Sequence, residues 1–101
     1  QRVIAPNNKG VKLFSEGDIA AAIELFEDAA QALPQNRTIN LNAAKALIAY
    51  MRQNGHDQDM VERARGYLEA VRPPEIGSDK NYQDVLARFE AFLAHVATTR
   101  G

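Results

Sequence analysis

Residues 8–26 read NKGVKLFSEGDIAAAIELF, and the interpretation of this stretch decides the fold. Two helical patterns meet at the corner Glu16-Gly17-Asp18. Gly10 lies inside the first pattern, where a glycine costs about 1 kcal/mol against alanine. Small residues, Ala20, Ala21 and Ala22, crowd the start of the second. Gly17 suits the end of one helix and Asp18 the N-cap of the next.

Working outward, the apolar spacing predicts five helices and no strand. The first covers residues 6–15, with Pro6 in its first turn, where the missing N–H has no intrahelical partner in any case. The second covers 19–33, where Ile19, Ala22, Ile23, Phe26, Ala29, Ala30 and Leu33 recur at steps of three and four. Glu24, Glu27, Asp28 and Gln31 fall on its opposite, solvent side, and Pro34 stops it. Asn36 caps a third helix over 37–54 that is apolar around most of its circumference, from Ile39 to Met51. Such a helix is expected at the centre of a domain. After the turn at residues 54–57, a fourth helix over 58–71 carries the stripe Met60, Ala64, Tyr67, Leu68, Val71. Residues 72–77, rich in Pro and Gly, break the chain. Ser78 or Asp79 then caps a fifth helix over 80–98, with the stripe Tyr82, Val85, Leu86, Phe89, Leu93, Val96.

Helix, tight turn, helix and proline link, then the same again, calls for a search for internal repeats. Residues 6–34 resemble one tetratricopeptide repeat, a family whose unit is two antiparallel helices. Gly10 stands where the family has a small residue, Leu13 where a large apolar one is usual, and Gly17-Asp18 at the turn. Ala22, Ile23, Phe26, Ala29 and Pro34 follow the family's small, aromatic, small, proline order. Pro6 and Lys9 depart from it, standing where tryptophan and leucine are frequent. A second, degenerate copy covers 36–73. Ala43, Ala44 and Leu47 align with Lys9, Gly10 and Leu13, but Gly55 comes about one helical turn late. The resemblance implies an all-α, right-handed superhelical stack of antiparallel hairpins: two repeats and a C-terminal capping helix, 78–98, with tails at 1–5 and 99–101. In that setting Gly10 and the alanines are close-contact surfaces and Phe26 is the filler between them. The capping helix is expected on the flank of the third and fourth helices. More narrowly, "LNAAKALIAYM", the late glycine and "YQDVLARFEAFL" resemble the helical C-terminal region of bacterial response regulators. No receiver-domain residue is present to carry a phosphorylation site.

Bulk properties narrow the function. The chain has 101 residues, a formal net charge of −1, 46% hydrophobic and 25% charged residues and no cysteine. That composition suits one globular domain. It has no basic excess of the kind nucleic acid or an anionic membrane attracts, no apolar run long enough to span a bilayer, and no thiolate metal site or disulfide framework. The expected compartment is the cytoplasm. Gln1-Arg2 at the start suggests a segment of a longer chain.

Residues with candidate chemistry are few. His56, Asp57 and Asp59 invite a metal reading, set against a polar turn in which Asp57 simply caps the fourth helix. His95 falls near the end of the fifth helix, on its exposed side or favourably close to the C-terminus. Neither histidine has a neighbouring nucleophile, and no converging catalytic constellation is found; no enzyme activity and no cofactor are expected. Glu62, Arg63, Arg65 and Arg72 are either a docking patch or a solvated helix face, and Arg65 and Arg72, seven apart, are a candidate phosphate or carboxylate site.

The family resemblance implies a concave groove lined by the first helix of each hairpin. Its candidate residues are Asn7, Asn8, Val11, Lys12 and Ser15, facing Thr38, Leu41, Asn42, Lys45 and either Ile48 or Ala49. Asn8 and Asn42 occupy equivalent places in the two repeats and suit hydrogen bonding to a peptide backbone. Asn7 and Val11 stand where chaperone-binding relatives need Lys and Asn, so capture of a C-terminal carboxylate is not expected. The function expected is non-catalytic binding of a protein or peptide partner, or of another domain of the same longer chain. The alternative is a dimerising or regulatory domain of a response regulator.

Overall fold

The structure, a computed structural model, describes residues 4–100. Its elements are α1 (Ile4–Ser15), α2 (Ile19–Ala32), α3 (Arg37–Asn54), α4 (Gln58–Ala70) and α5 (Lys80–Arg100), with a single 3-10 turn at Ile76–Ser78 before α5. Residues 1–3 and 101 of the expected tails lie outside the described residues. Of the tail residues that are described, 4 and 5 belong to α1, and 99 and 100 belong to α5.

The helix boundaries follow local chemistry. Gly17 has φ 92°, a conformation open to glycine. The Asp18 N–H reaches the Leu13 carbonyl at 2.9 Å and the Gly17 N–H the Phe14 carbonyl at 3.1 Å, the paired bonds of a Schellman ending. Asp18 then accepts from the Ala21 N–H at 3.3 Å and opens α2. Asn36, Asp57 and Asp79 serve α3, α4 and α5 in the same way, through the N–H groups of Ile39, Met60 and Tyr82.

α1 packs on α2, α3 on α4, and α2 and α3 join the two hairpins; α5 lies along α3. The anomaly at Gly10 is resolved by contact. Gly10 is buried, and a Cβ there would meet Phe26 Cε1 at 2.7 Å and Cδ1 at 2.9 Å. Phe26 is itself fully buried. The glycine permits the approach and the phenylalanine ring occupies it.

α3 is the centre of the domain. From Ile39 to Met51 it exposes only Asn42, Lys45, Ala49 and Tyr50, each in part. The interior face of α5 is Tyr82, Val85, Phe89 and Phe92, so it is rotated from the expected stripe: Leu86, Leu93 and Val96 are half-buried and Phe92 is interior. In α4, Val61 is interior while Met60 and Tyr67 sit at the margin. Leu33 lies past the end of α2 and is largely exposed.

Polar ties fasten the elements and their links to one another. Glu27, expected on the solvent side, is turned inward, its side chain 17% exposed. It accepts hydrogen bonds from Arg63 Nη1 and, at 2.8 Å, from the Tyr67 hydroxyl, and so fastens α2 to α4. Burial first, and then the hydrogen bond and charge of Glu27, keep the Tyr67 hydroxyl protonated well above its ordinary range. Burial works against the Arg63 charge, yet Glu27 and Asp59 together raise its pKa further. Asn40, 1% exposed, donates to the Pro34 and Asn36 carbonyls at 3.1 and 2.7 Å, securing the link into α3. Arg37 pairs with Asp79 and also donates to the Val71 carbonyl at 3.2 Å. One side chain thereby joins the start of α3, the end of α4 and the cap of α5.

Candidate partner-binding groove

The open face of the molecule is built from two adjoining stripes. On α1, Asn7, Val11 and Phe14 recur at steps of four and three, and so share a side of the helix. On α3 the matching stripe is Thr38, Asn42, Lys45, Ala49 and Arg52, the positions its burial pattern leaves open. Contacts bind the two stripes together. Asn42 Nδ2 donates to Asn7 Oδ1 at 3.1 Å, and Lys45 Nζ lies 5.4 Å from the centre of the Phe14 ring, within cation–π range. Between these two crossings in the sequence of α1 stands Val11, an apolar side chain that is 46% exposed.

The candidates named from the sequence sort accordingly. Asn7, Val11, Asn42 and Lys45 come together where α1 meets α3. Asn8, Lys12 and Ser15 form the next stripe outward on α1, all exposed, with the Ser15 hydroxyl donating to the Lys12 carbonyl at 2.8 Å. Thr38 is exposed at the first turn of α3. Leu41 does not line the groove: it is 6% exposed and belongs to the hydrophobic core, because it lies one residue, or about 100° of helix rotation, from Asn42. Ile48 is likewise interior, so Ala49 is the groove residue of that pair. The equivalence of Asn8 and Asn42 is not a spatial pairing, since Asn42 meets Asn7.

A cleft of about 540 Å³ opens at the far end of α3, between Met51, Arg52 and His56 on one wall and Phe92, His95 and Val96 on the other. The His56 ring stacks on Phe92, with centroids 6.5 Å apart and planes 16° from parallel. Its Nε2 is 3.2 Å from Gln58 Oε1, and Gln58 in turn donates to Glu62 at 2.8 Å. Arg52, Phe92 and this cleft were absent from the sequence reading. The signal for Arg52 was present: it continues the 38, 42, 45, 49 periodicity.

His56, Asp57 and Asp59 do not converge. Asp57 caps α4, Asp59 pairs with Arg63, and His56 turns to Phe92. Among the described residues no group of three or more His, Cys, Asp or Glu side chains is placed to hold a metal. The arginine patch also divides. Arg63 serves Glu27, while Arg65 pairs with Glu62 and lies 5.6 Å from the Phe89 ring. α4 stops at Ala70, so Arg72 is not on a helical face shared with Arg65.

In comparisons with known proteins, residues 13–52 match the family model described as tetratricopeptide repeat. That segment runs from the end of α1 through almost all of α3. No curated protein and no solved structure matches the chain. Among the described residues no helix is long and apolar enough to cross a membrane.

Proposed function

Since residues 13–52 are tetratricopeptide-repeat sequence, we propose that the chain is a non-catalytic protein-interaction module whose partner segment lies along the face shared by α1 and α3. Tetratricopeptide repeats generally mediate protein–protein interaction and are typically non-catalytic. The observation that carries the reading is Val11: an apolar side chain about half exposed, flanked along α1 by the Asn42–Asn7 bond on one side and the Lys45–Phe14 contact on the other. An exposed apolar side chain bordered by an amide pair and an ammonium suits an extended segment, held by side-chain contact and a few polar anchors. Asn8, Lys12, Ser15, Thr38 and Ala49 widen the surface. The setting proposed is the cytoplasm.

A photo-cross-linking amino acid at position 11, compared with the same group at Glu24 on the outer side of α2, tests this. Covalent capture of one defined protein from position 11 and not from position 24 is the expected result. Equal capture at both, or capture from position 24 alone, would sink the groove assignment. A second reading is self-association as a regulatory domain, drawn from the half-buried Leu86 and Leu93 on α5. Light scattering decides it: a strict monomer at high concentration removes it for this domain.

A further inference from the structure

The charges are segregated by helix type. α1 and α3, the first helices of the two hairpins, contain Lys9, Lys12, Arg37, Lys45 and Arg52 and not one Asp or Glu. α2 contains Glu24, Glu27 and Asp28 and no Lys or Arg. α4 contains Asp59, Glu62 and Glu69 against Arg63 and Arg65. A net charge of −1 thus conceals a cationic α1/α3 pair and an acidic α2, with α4 mixed.

Arg37 is engaged with Asp79 and the Val71 carbonyl. That leaves Lys9, Lys12, Lys45 and Arg52; Lys45 and Arg52 lie on the α3 stripe of the open face, Lys12 borders it on α1, and Lys9 lies a further step round α1. Lys45 is held in place over Phe14. Arg52 borders the α3/α5 cleft, where the His56 and His95 imidazoles stand around an apolar floor of Met51 and Phe92. Lys45 and Arg52 are seven positions apart on one face of α3, about 10.5 Å along the helix at 1.5 Å per residue. An extended polyproline-II segment presents every third side chain on one face, about 9 Å apart.

Resting on the groove reading above, we propose that the partner is an extended acidic protein segment. Its side-chain carboxylates, three residues apart, pair with Lys45 and Arg52 while Lys12 borders the outer edge. Recognition is of side-chain carboxylates along the segment and needs no free C-terminus. Complementary charge across such a surface governs partner choice and encounter rate more than it does raw affinity. The exposed Glu24 and Asp28 on α2 disfavour the same segment on the far side of that hairpin.

The test is fluorescence anisotropy with a labelled, C-terminally amidated peptide of three Glu-Pro-Leu triplets, beside versions carrying Gln or Lys in place of Glu. The Glu peptide is expected to bind, and the Gln and Lys peptides not to. Lys45→Glu and Arg52→Glu should each weaken binding about fivefold, the scale of a half-exposed ion pair, and Arg72→Glu should leave it unchanged. Lys45→Gln, checked for helicity by circular dichroism, serves if Lys45→Glu does not fold. Equal binding of the Gln peptide overturns the inference. So does binding of a nine-residue oligothymidylate as tight as that of the Glu peptide, since the face would then be an unselective polyanion binder. Capture of a protein from position 11 alongside no affinity for the Glu peptide ends the acidic-segment inference and leaves the groove reading standing. Failure of both ends both.

Discussion

A Cβ placed on Gly10 would lie 2.7 Å from Cε1 of Phe26, so one missing methyl group sets the distance between α1 and α2. Gly10→Ala therefore sets two effects against each other. Helix propensity favours alanine by about 1 kcal/mol. Overpacking against a buried ring costs about 1–3 kcal/mol. The contact falls on ring atoms of a fully enclosed side chain, so the second effect wins and urea denaturation should show net destabilisation. Phe26→Leu in the Gly10→Ala background should recover part of the loss relative to the sum of the two single variants.

Glu27 joins Arg63 and Tyr67, and its removal leaves a cation and a hydroxyl without their shared acceptor. Glu27→Ala should cost about 1–3 kcal/mol, the range for an unsatisfied, partly buried polar group. The pair also predicts an alkaline signature. The folded Tyr67 pKa is raised above its ordinary 10.0, so the protonated hydroxyl is the form the fold favours. Its stabilisation is complete below pH 10.0 and is lost as pH rises from there through the folded pKa. Tyr67→Phe should abolish that part of the alkaline loss; a melting-temperature profile identical to wild type above pH 10 would refute the assignment.

Asp79 predicts the opposite limb. The Tyr82 N–H above all holds its carboxyl below the ordinary range; desolvation, next in size, opposes it, and the charge and hydrogen bond of Arg37 then add to the lowering. Its contribution is present above the unfolded value of about 3.9 and is lost as pH falls through the folded pKa. Arg37→Ala should move the Asp79 titration upward in carboxyl NMR without restoring it fully, because the Tyr82 N–H remains. A titration unmoved by Arg37→Ala would show that the ion pair is not maintained in solution.

Asn40 is the buried polar residue of the link into α3. Asn40→Leu keeps the approximate volume but strips the Pro34 carbonyl of its donor, and should cost about 1–3 kcal/mol. Hydrogen exchange should accelerate first at the amides of Asn36 and Ile39. A neutral effect would mean that the segment between α2 and α3 is held by the Asn36 cap alone.

What could be read from the sequence was mostly what is local. Gly17-Asp18, Asn36, Asp57 and Asp79 act on residues three to five positions away, so the helix ends were legible. Gly10 was legible because the pattern around it, including Phe26, lies within one hairpin. The misassignments share a different origin. Glu27 looked solvated on a helical wheel, and its partners Arg63 and Tyr67 lie 36 and 40 positions along the chain. Leu41 was placed in the groove by a shift of one residue, which on a helix carries a side chain from open stripe to core. The roll of α5, which buries Phe92 rather than Leu93, depends on how it lies along α3, and both residues suit an apolar stripe equally well. The repeat register puts Val11, Asn42 and Lys45 on the shared face of α1 and α3, where the structure also has them; it does not reach Arg52, which falls in the extra turn where that register ends.

That extra turn has a consequence for the molecule's symmetry. α1 has 12 residues and α3 has 18, so the two hairpins are not interchangeable blocks. The surplus carries Arg52 and leads into the His56 turn, so the α3/α5 cleft stands at one end of the face, beyond Lys45, and the Asn7–Asn42 pair stands toward the other. A segment bound there as proposed would meet a surface with direction. On that proposal, reversing its sequence at constant composition would put the wrong end at the cleft and weaken binding, so chain polarity becomes a feature of recognition.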